Sequence, residues 1–213
     1  MSQNLYHPEL GPYLDDQVPT RPKEMQDMET YAREHHFPII GPASGHLCYQ
    51  LARMINANKV FELGSGYGYS TAWFAKAVVE NGGGQVHHVV WDEELSKMAK
   101  RHLGEMGYAD VIKYTVGEAV QSLRDSEGVY DLIFSDIDKE GYPDSLPVIE
   151  NKLRSGGVLI VDNLLWSGNI FNEQDHSQAT LAIKEFTQKV KESDVWISSI
   201  VPIRDGIMMA LKK

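Results

Sequence analysis

The stretch VFELGSGYGYSTAWFAKAV, Val60 to Val78, decides the fold. It opens as a β-strand, passes through glycines at positions 64, 66 and 68, and continues as an apolar run of helical length. Glycines let a chain turn sharply and let a ligand approach the backbone. Ser70 and Thr71 are placed to cap the helix that follows. Working outward, short apolar runs recur at KVFEL, QVHHVV, VIKYTV, YDLIFS and GVLIVD, with helix-length stretches between most of them. That alternation predicts a doubly wound, mostly parallel sheet with helices on both faces. VWISSIVPI and GIMMALKK, joined around Arg204-Asp205-Gly206, predict a closing antiparallel hairpin. Two helices are expected first, about Pro22–His36 and Ala43–Asn56, after an arm over residues 1–22 without periodicity. The chain divides as arm 1–22, N-terminal helices 23–57 and α/β core 58–213, together one domain.

The totals narrow the function. With 213 residues, 42% hydrophobic and 23% charged, the chain has globular composition and suits one domain with a substantial core. No apolar run approaches the roughly 20 residues of a membrane span, and the first residues lack the basic start and apolar centre of a signal peptide. The expectation is a cytoplasmic protein without a membrane partner. The single cysteine, Cys48, excludes an internal disulfide and fits a small buried hydrophobe. A net charge of −10 disfavours a broad nucleic-acid surface. Lys97, Lys100 and Arg101 read as a solvated helix face, and small-molecule chemistry is favoured.

In doubly wound sheets, sites lie beyond the carboxyl ends of the strands. Around the glycine loop, the G-x-G-x-G spacing departs from the dinucleotide pattern, and no lysine follows as in a triphosphate loop. Glu62, just before the loop, disfavours a phosphate-rich ligand and suits a cationic one, such as the sulfonium and amino group of S-adenosylmethionine. A tight turn with no ligand is the alternative. The second strand ends in VVWDEE, with Val90 where a ribose-binding acid is expected. Asp92 is the nearest carboxylate, with helix N-capping as its equal alternative. Trp91 is placed to stack on a base or simply to pack. The fourth strand ends at Asp136 and the fifth at Asp162-Asn163. Two carboxylates and an amide oxygen on neighbouring strands are hard ligands suited to Mg²⁺, Ca²⁺ or Mn²⁺. Capping of the following helices is the alternative for each aspartate. Lys139 follows Asp136 by three residues. Trp166 reads as a wall for an aromatic substrate or as a buried structural side chain.

Taken in order, GPASGHLCYQLARMI, VFELGSGYGYST, YTVGEAVQSL, YDLIFSDIDKEGY, LRSGGVLIVDNLLWSG and VPIRDGIMMALKK resemble the cation-dependent, S-adenosylmethionine-dependent O-methyltransferases. That group includes catechol and caffeoyl-coenzyme A O-methyltransferases and small bacterial relatives. The resemblance runs from about Pro42 to Lys213 and implies a Rossmann-like methyltransferase fold with a seven-stranded sheet. It implies Asp136, Asp162 and Asn163 as metal ligands, with Lys139 as general base and Asp136 also in the catalytic centre. Glu62, Gly64, Gly66 and Ser70 match the cofactor loop, Gly117, Glu118 and Ala119 the segment beside the adenine, and Asp138 a second acid that holds cofactor or substrate, with a surface role as its alternative. It further implies a homodimer, with the N-terminal arm as a contact. Val90, in place of the ribose-binding acid, and Ser135, in place of a bulky aliphatic residue, depart from the pattern. The reaction so implied is divalent-metal-dependent methylation of a hydroxyl on a vicinal-diol aromatic of catechol, caffeoyl or flavonoid-like type. Its rivals are methylation of a hydroxylated uridine in tRNA and a catalytically silent cofactor-binding module.

Overall fold

Continuous apolar runs, buried on both faces of the sheet, build the architecture. In the computed structural model, which describes residues 7–213, seven strands form one sheet in the order β3-β2-β1-β4-β5-β7-β6. They are β1 (Lys59–Leu63), β2 (Gln85–Val90), β3 (Ile112–Val116), β4 (Tyr130–Ser135), β5 (Leu153–Val161), β6 (Trp196–Val201) and β7 (Ile207–Lys212). The first five pair in parallel; β7 runs antiparallel to β5 and β6. The expected doubly wound sheet with a closing hairpin is the observed fold.

Successive strand residues point to opposite faces, and two cores result. Val60, Leu132, Phe134, Val158 and Ile160 pack with α2 (Lys23–His35), α3 (Gly41–Met54), α4 (Tyr69–Glu80) and α5 (Glu93–Glu105). Phe61, Leu63, Ile133, Leu159 and Val161 pack with α6 (Ala119–Asp125), α7 (Tyr142–Lys152) and α8 (Gln178–Glu192). Cys48 is fully buried in the first core, as expected.

Three local expectations are corrected. The segment 1–22 contains a helix, α1 (Leu10–Asp16), whose Asp15 Oδ1 accepts a hydrogen bond at 3.0 Å from Ala43 N in the first turn of α3. That long-range cap serves a helix whose own N-cap, Ile40, has no side chain able to accept. Residues 1–6 of the arm lie outside the described residues. Strand β5 begins at Leu153 rather than Gly157, with a register irregularity where Tyr130 pairs Leu153 and Leu132 pairs Val158. Ser70 and Thr71 do not cap α4: its N-cap is Gly68, and both hydroxyls turn inward. Among the described residues, no helix is long and apolar enough to cross a membrane.

Candidate active site at the carboxyl ends of the central strands

Register sets the site. Leu63 pairs Ser135, and Ser135 pairs Val161, so β1, β4 and β5 end at one level. The next backbone steps stay locked: Asp136 N donates to Leu63 O at 2.8 Å, and Asp162 N to Ser135 O at 3.1 Å. Gly64, Asp136 and Asp162 therefore leave the sheet side by side. Gly64 has φ +85°, and a Cβ there would lie 2.5 Å from the Asp136 carbonyl oxygen. Only glycine accommodates both the left-handed turn and that approach.

A cleft of about 380 Å³ opens over this level. Gly64, Val90, Asp92, Gly117, Glu118, Ala119 and Asp138 line it, with Trp91, Leu95, Val120, Ile137 and Gly141. Asp92 Oδ1 accepts from Leu95 N at 2.9 Å, so it is the N-cap of α5 and also faces the cleft. The two alternatives for Asp92 are thus compatible, because capping engages one of its oxygens. Glu118 caps α6, accepting from Val120 N at 2.9 Å and from Gln121 N. Val90 lines the cleft and brings no carboxylate to the end of β2.

Glu62 lies behind the glycine loop, fully buried, rather than at its mouth. Burial raises its pKa to about 7, against the hydroxyls of Ser70, Thr71 and Ser65. Thr71 Oγ1 donates to Glu62 Oε2 at 2.5 Å, and His88 Nδ1 lies 3.0 Å from the same hydroxyl. Where Thr71 gives its one proton to Glu62, His88 Nδ1 is the donor to that hydroxyl. Burial holds that imidazole neutral, its pKa lowered to about 3. Gly66 and Ser70 flank this buried network, and Phe37 covers Gly66.

At the other end, Asp162 is 4% exposed. Burial, then the neighbouring Asp136 charge, raises its pKa to about 7; Asn163 N, Arg204 and Lys139 oppose that rise. Asp162 Oδ1 accepts from Asn163 N at 2.8 Å. Asn163 adopts φ +62°, a left-handed conformation that asparagine tolerates better than most residues. Lys139, itself buried, donates to Asp136 Oδ1 at 2.8 Å, Ile137 O at 3.2 Å and Tyr142 Oη at 3.1 Å. Three acceptors match the three donors of an ammonium. Tyr142, fully buried, passes the connection on by donating to Asp162 O at 2.9 Å. The Trp166 ring centre is 5.9 Å from Lys139 Nζ, so Trp166 stands beside the site. Ser135 is buried with its hydroxyl unpartnered among the described residues.

The donor set suits a hard cation. Burial and the Asp136 charge raise the proton affinity of Asp162, which a divalent charge relieves, and Asn163 is the adjacent amide. Among the described residues no group of three or more His, Cys, Asp or Glu side chains is arranged to hold a metal. The candidate centre therefore has two carboxylates only. Sequence reasoning missed Tyr142, one helical turn beyond Lys139 in the same stretch, and the Thr71–His88 pair, signalled by two histidines inside a core strand.

The O-methyltransferase family profile matches residues 20–213. The chain belongs to the O-methyltransferase family. Among curated relatives of this O-methyltransferase, the catechol O-methyltransferase of Niastella koreensis is 25% identical over 183 residues, 82% of each chain. That of Mycobacterium tuberculosis is 31% identical over 144 residues, 67% of this chain and 64% of the relative. Among solved structures, a Bacillus cereus O-methyltransferase in complex with SAH superposes with TM-score 0.86 at 21% identity, covering 95% of this chain and 96% of that one. TomG from Streptomyces achromogenes, an O-methyltransferase of tomaymycin synthesis in complex with SAM, gives 0.86 at 22%, covering 100% and 99%. These likenesses support the methyltransferase fold.

Proposed function

We propose that this O-methyltransferase takes its methyl group from S-adenosylmethionine and delivers it, with a divalent cation, to one hydroxyl of a vicinal-diol aromatic. The observation that carries this reading is the meeting of Asp136 and Asp162 at adjacent strand ends, beside the buried Lys139 and next to the cleft. The catechol O-methyltransferase names of the curated relatives support the substrate class, and the SAH and SAM complexes of the structural relatives support the cofactor.

In this reading Asp136, Asp162 and Asn163 would hold the cation, which would supply the positive charge that favours an ionised diol. The cofactor supplies a methyl group on a positively charged sulfur. Gly64, Gly117, Glu118, Ala119 and Asp138 bound the space for it, and Asp92 Oδ2 is the carboxylate oxygen available for ribose hydroxyls. Asp136, if it turned to a cation, would leave Lys139 Nζ with one acceptor fewer. Once Nζ has released one of its protons to solvent, it is the atom that takes the hydroxyl proton. Rigid strand ends hold these groups in one geometry, which is the main contribution a protein makes to a group transfer of this kind. The homodimer and the single-domain organisation belong to the same proposal.

The test incubates the protein with methyl-labelled S-adenosylmethionine, with Mg²⁺ or with EDTA, against 3,4-dihydroxy aromatics and bulk tRNA. Label in the small aromatic only with metal is the expected result. Undiminished transfer in EDTA would remove the cation's role, and label in tRNA would overturn the substrate class. Cofactor binding without transfer to either would identify a silent module.

A further inference from the structure

Arg204 stands at the tip of the β6–β7 hairpin with φ +48°, a left-handed conformation unusual for a side chain of its size. Its neighbours hold the tip against the site. Leu164 N donates to Gly206 O at 3.0 Å and Leu165 N to Asp205 O at 2.8 Å, while the Asp205 carboxylate accepts from Ser167 N. The tip is thereby fastened to the loop that begins at Asp162-Asn163. On its other side the Arg204 guanidinium donates through Nη1 to Ile39 O, in the segment joining α2 to α3. A methyl at Gly41 would lie 3.4 Å from Arg204 Cδ. Arg204 thus spans two walls beside the strand-end site.

A backbone carbonyl uses one of five guanidinium N–H donors, and among the described residues Arg204 has no carboxylate partner. A neutral donor would fasten Ile39 equally well, so the clip does not account for the charge. A divalent ion at most neutralises Asp136 and Asp162, so local attraction for an anionic substrate group falls to a cation on the rim. Guanidinium is also the side chain whose planar fork matches a carboxylate.

We propose that Arg204 determines substrate class by pairing with a carboxylate on the ring of the diol, so that acidic dihydroxy aromatics are preferred to neutral ones. This rests on the diol reading above. The test measures, by calorimetry, binding of 3,4-dihydroxybenzoate and of its neutral counterpart 3,4-dihydroxybenzamide to protein saturated with S-adenosylhomocysteine and Mg²⁺. A charge-assisted pair predicts a preference of about tenfold or more for the acid in the wild type. Arg204→Gln, which keeps an amide donor for Ile39, should reduce the preference to about twofold or less, and Arg204→Lys should retain most of it. Equal ratios in wild type and Arg204→Gln, or a wild-type preference for the amide, overturn the proposal. Binding of neither compound overturns it together with the diol reading. The expected ratios without methyl transfer in a parallel assay sustain Arg204's role and refute the transfer reaction.

Discussion

Lys139 and Tyr142 form a buried unit: the ammonium donates to the phenol, and the phenol donates to the Asp162 carbonyl. The tyrosine hydroxyl therefore fixes where Nζ stands relative to the two aspartates. In the proposed reaction, Lys139→Ala lowers kcat about 100-fold or more, the size of a general-base contribution. Tyr142→Phe, which removes one oxygen and preserves the ring, lowers kcat about tenfold by misplacing Nζ. Neither changes KM for S-adenosylmethionine by more than about twofold, because neither side chain lines the cleft proposed for the cofactor. Asp162→Ala abolishes cation-dependent turnover. Initial rates with labelled cofactor at saturating diol check all three; an unchanged kcat in Tyr142→Phe would refute its positioning role. Asp136, Lys139 and Asp162 are legible in the sequence as a set, because either aspartate alone reads equally as a helix cap and only the pair on neighbouring strands, with Lys139 beside it, points to a site. Tyr142 is not, since an aromatic there reads equally as packing.

Among the elements, the β1–α4 unit carries the tightest steric requirement. Gly64 combines a left-handed φ with a Cβ position 2.5 Å from the Asp136 carbonyl, and that obstacle is backbone that cannot swing aside. Gly64→Ala should destabilise the protein by roughly 2–4 kcal/mol, combining the conformational cost with the clash. Urea unfolding followed by circular dichroism measures it; a loss below about 0.5 kcal/mol would mean that β1 and β4 separate easily at their ends. All seven strands are recognisable as short strand-like runs, and α2 and α3 from their length and flanking residues. The start of β5 is not, because Arg154-Ser155-Gly156-Gly157 is polar and glycine-rich. It joins the sheet through Asp131, whose carboxylate accepts from Arg154 Nε at 2.6 Å and from Asn58 N and Lys59 N at 2.8 Å. Likewise α1 has no internal pattern to announce it, having no buried residue of its own.

Over the whole molecule, opposing titrations shape stability. Glu62 is raised from 4.5 to about 7, so between those values the folded chain binds the extra proton and stability falls as pH rises. His88, lowered from 6.5 to about 3, and His87, lowered to about 4, act in the opposite sense: the unfolded chain binds the proton, and stability rises with pH up to about 6.5. Above that, the carboxylates alone remain. Glu62→Gln should therefore shrink the fall in stability between about pH 6 and pH 8 by about 1 kcal/mol, with Asp162 sustaining the remainder. Thermal melts at the two pH values check it, and an unchanged fall would mean that Glu62 is ionised throughout. The sequence by itself determined the layered α/β architecture, the antiparallel close and the residue types available for chemistry, because hydrophobic period and glycine spacing are local properties. Only the tertiary structure decided which of those residues meet. The register of β1, β4 and β5 brings Asp136 beside Asp162, burial takes Glu62 behind the loop, and hairpin packing sets Arg204 at the rim. Each depends on contacts between segments far apart in the chain, whose separations no local pattern encodes.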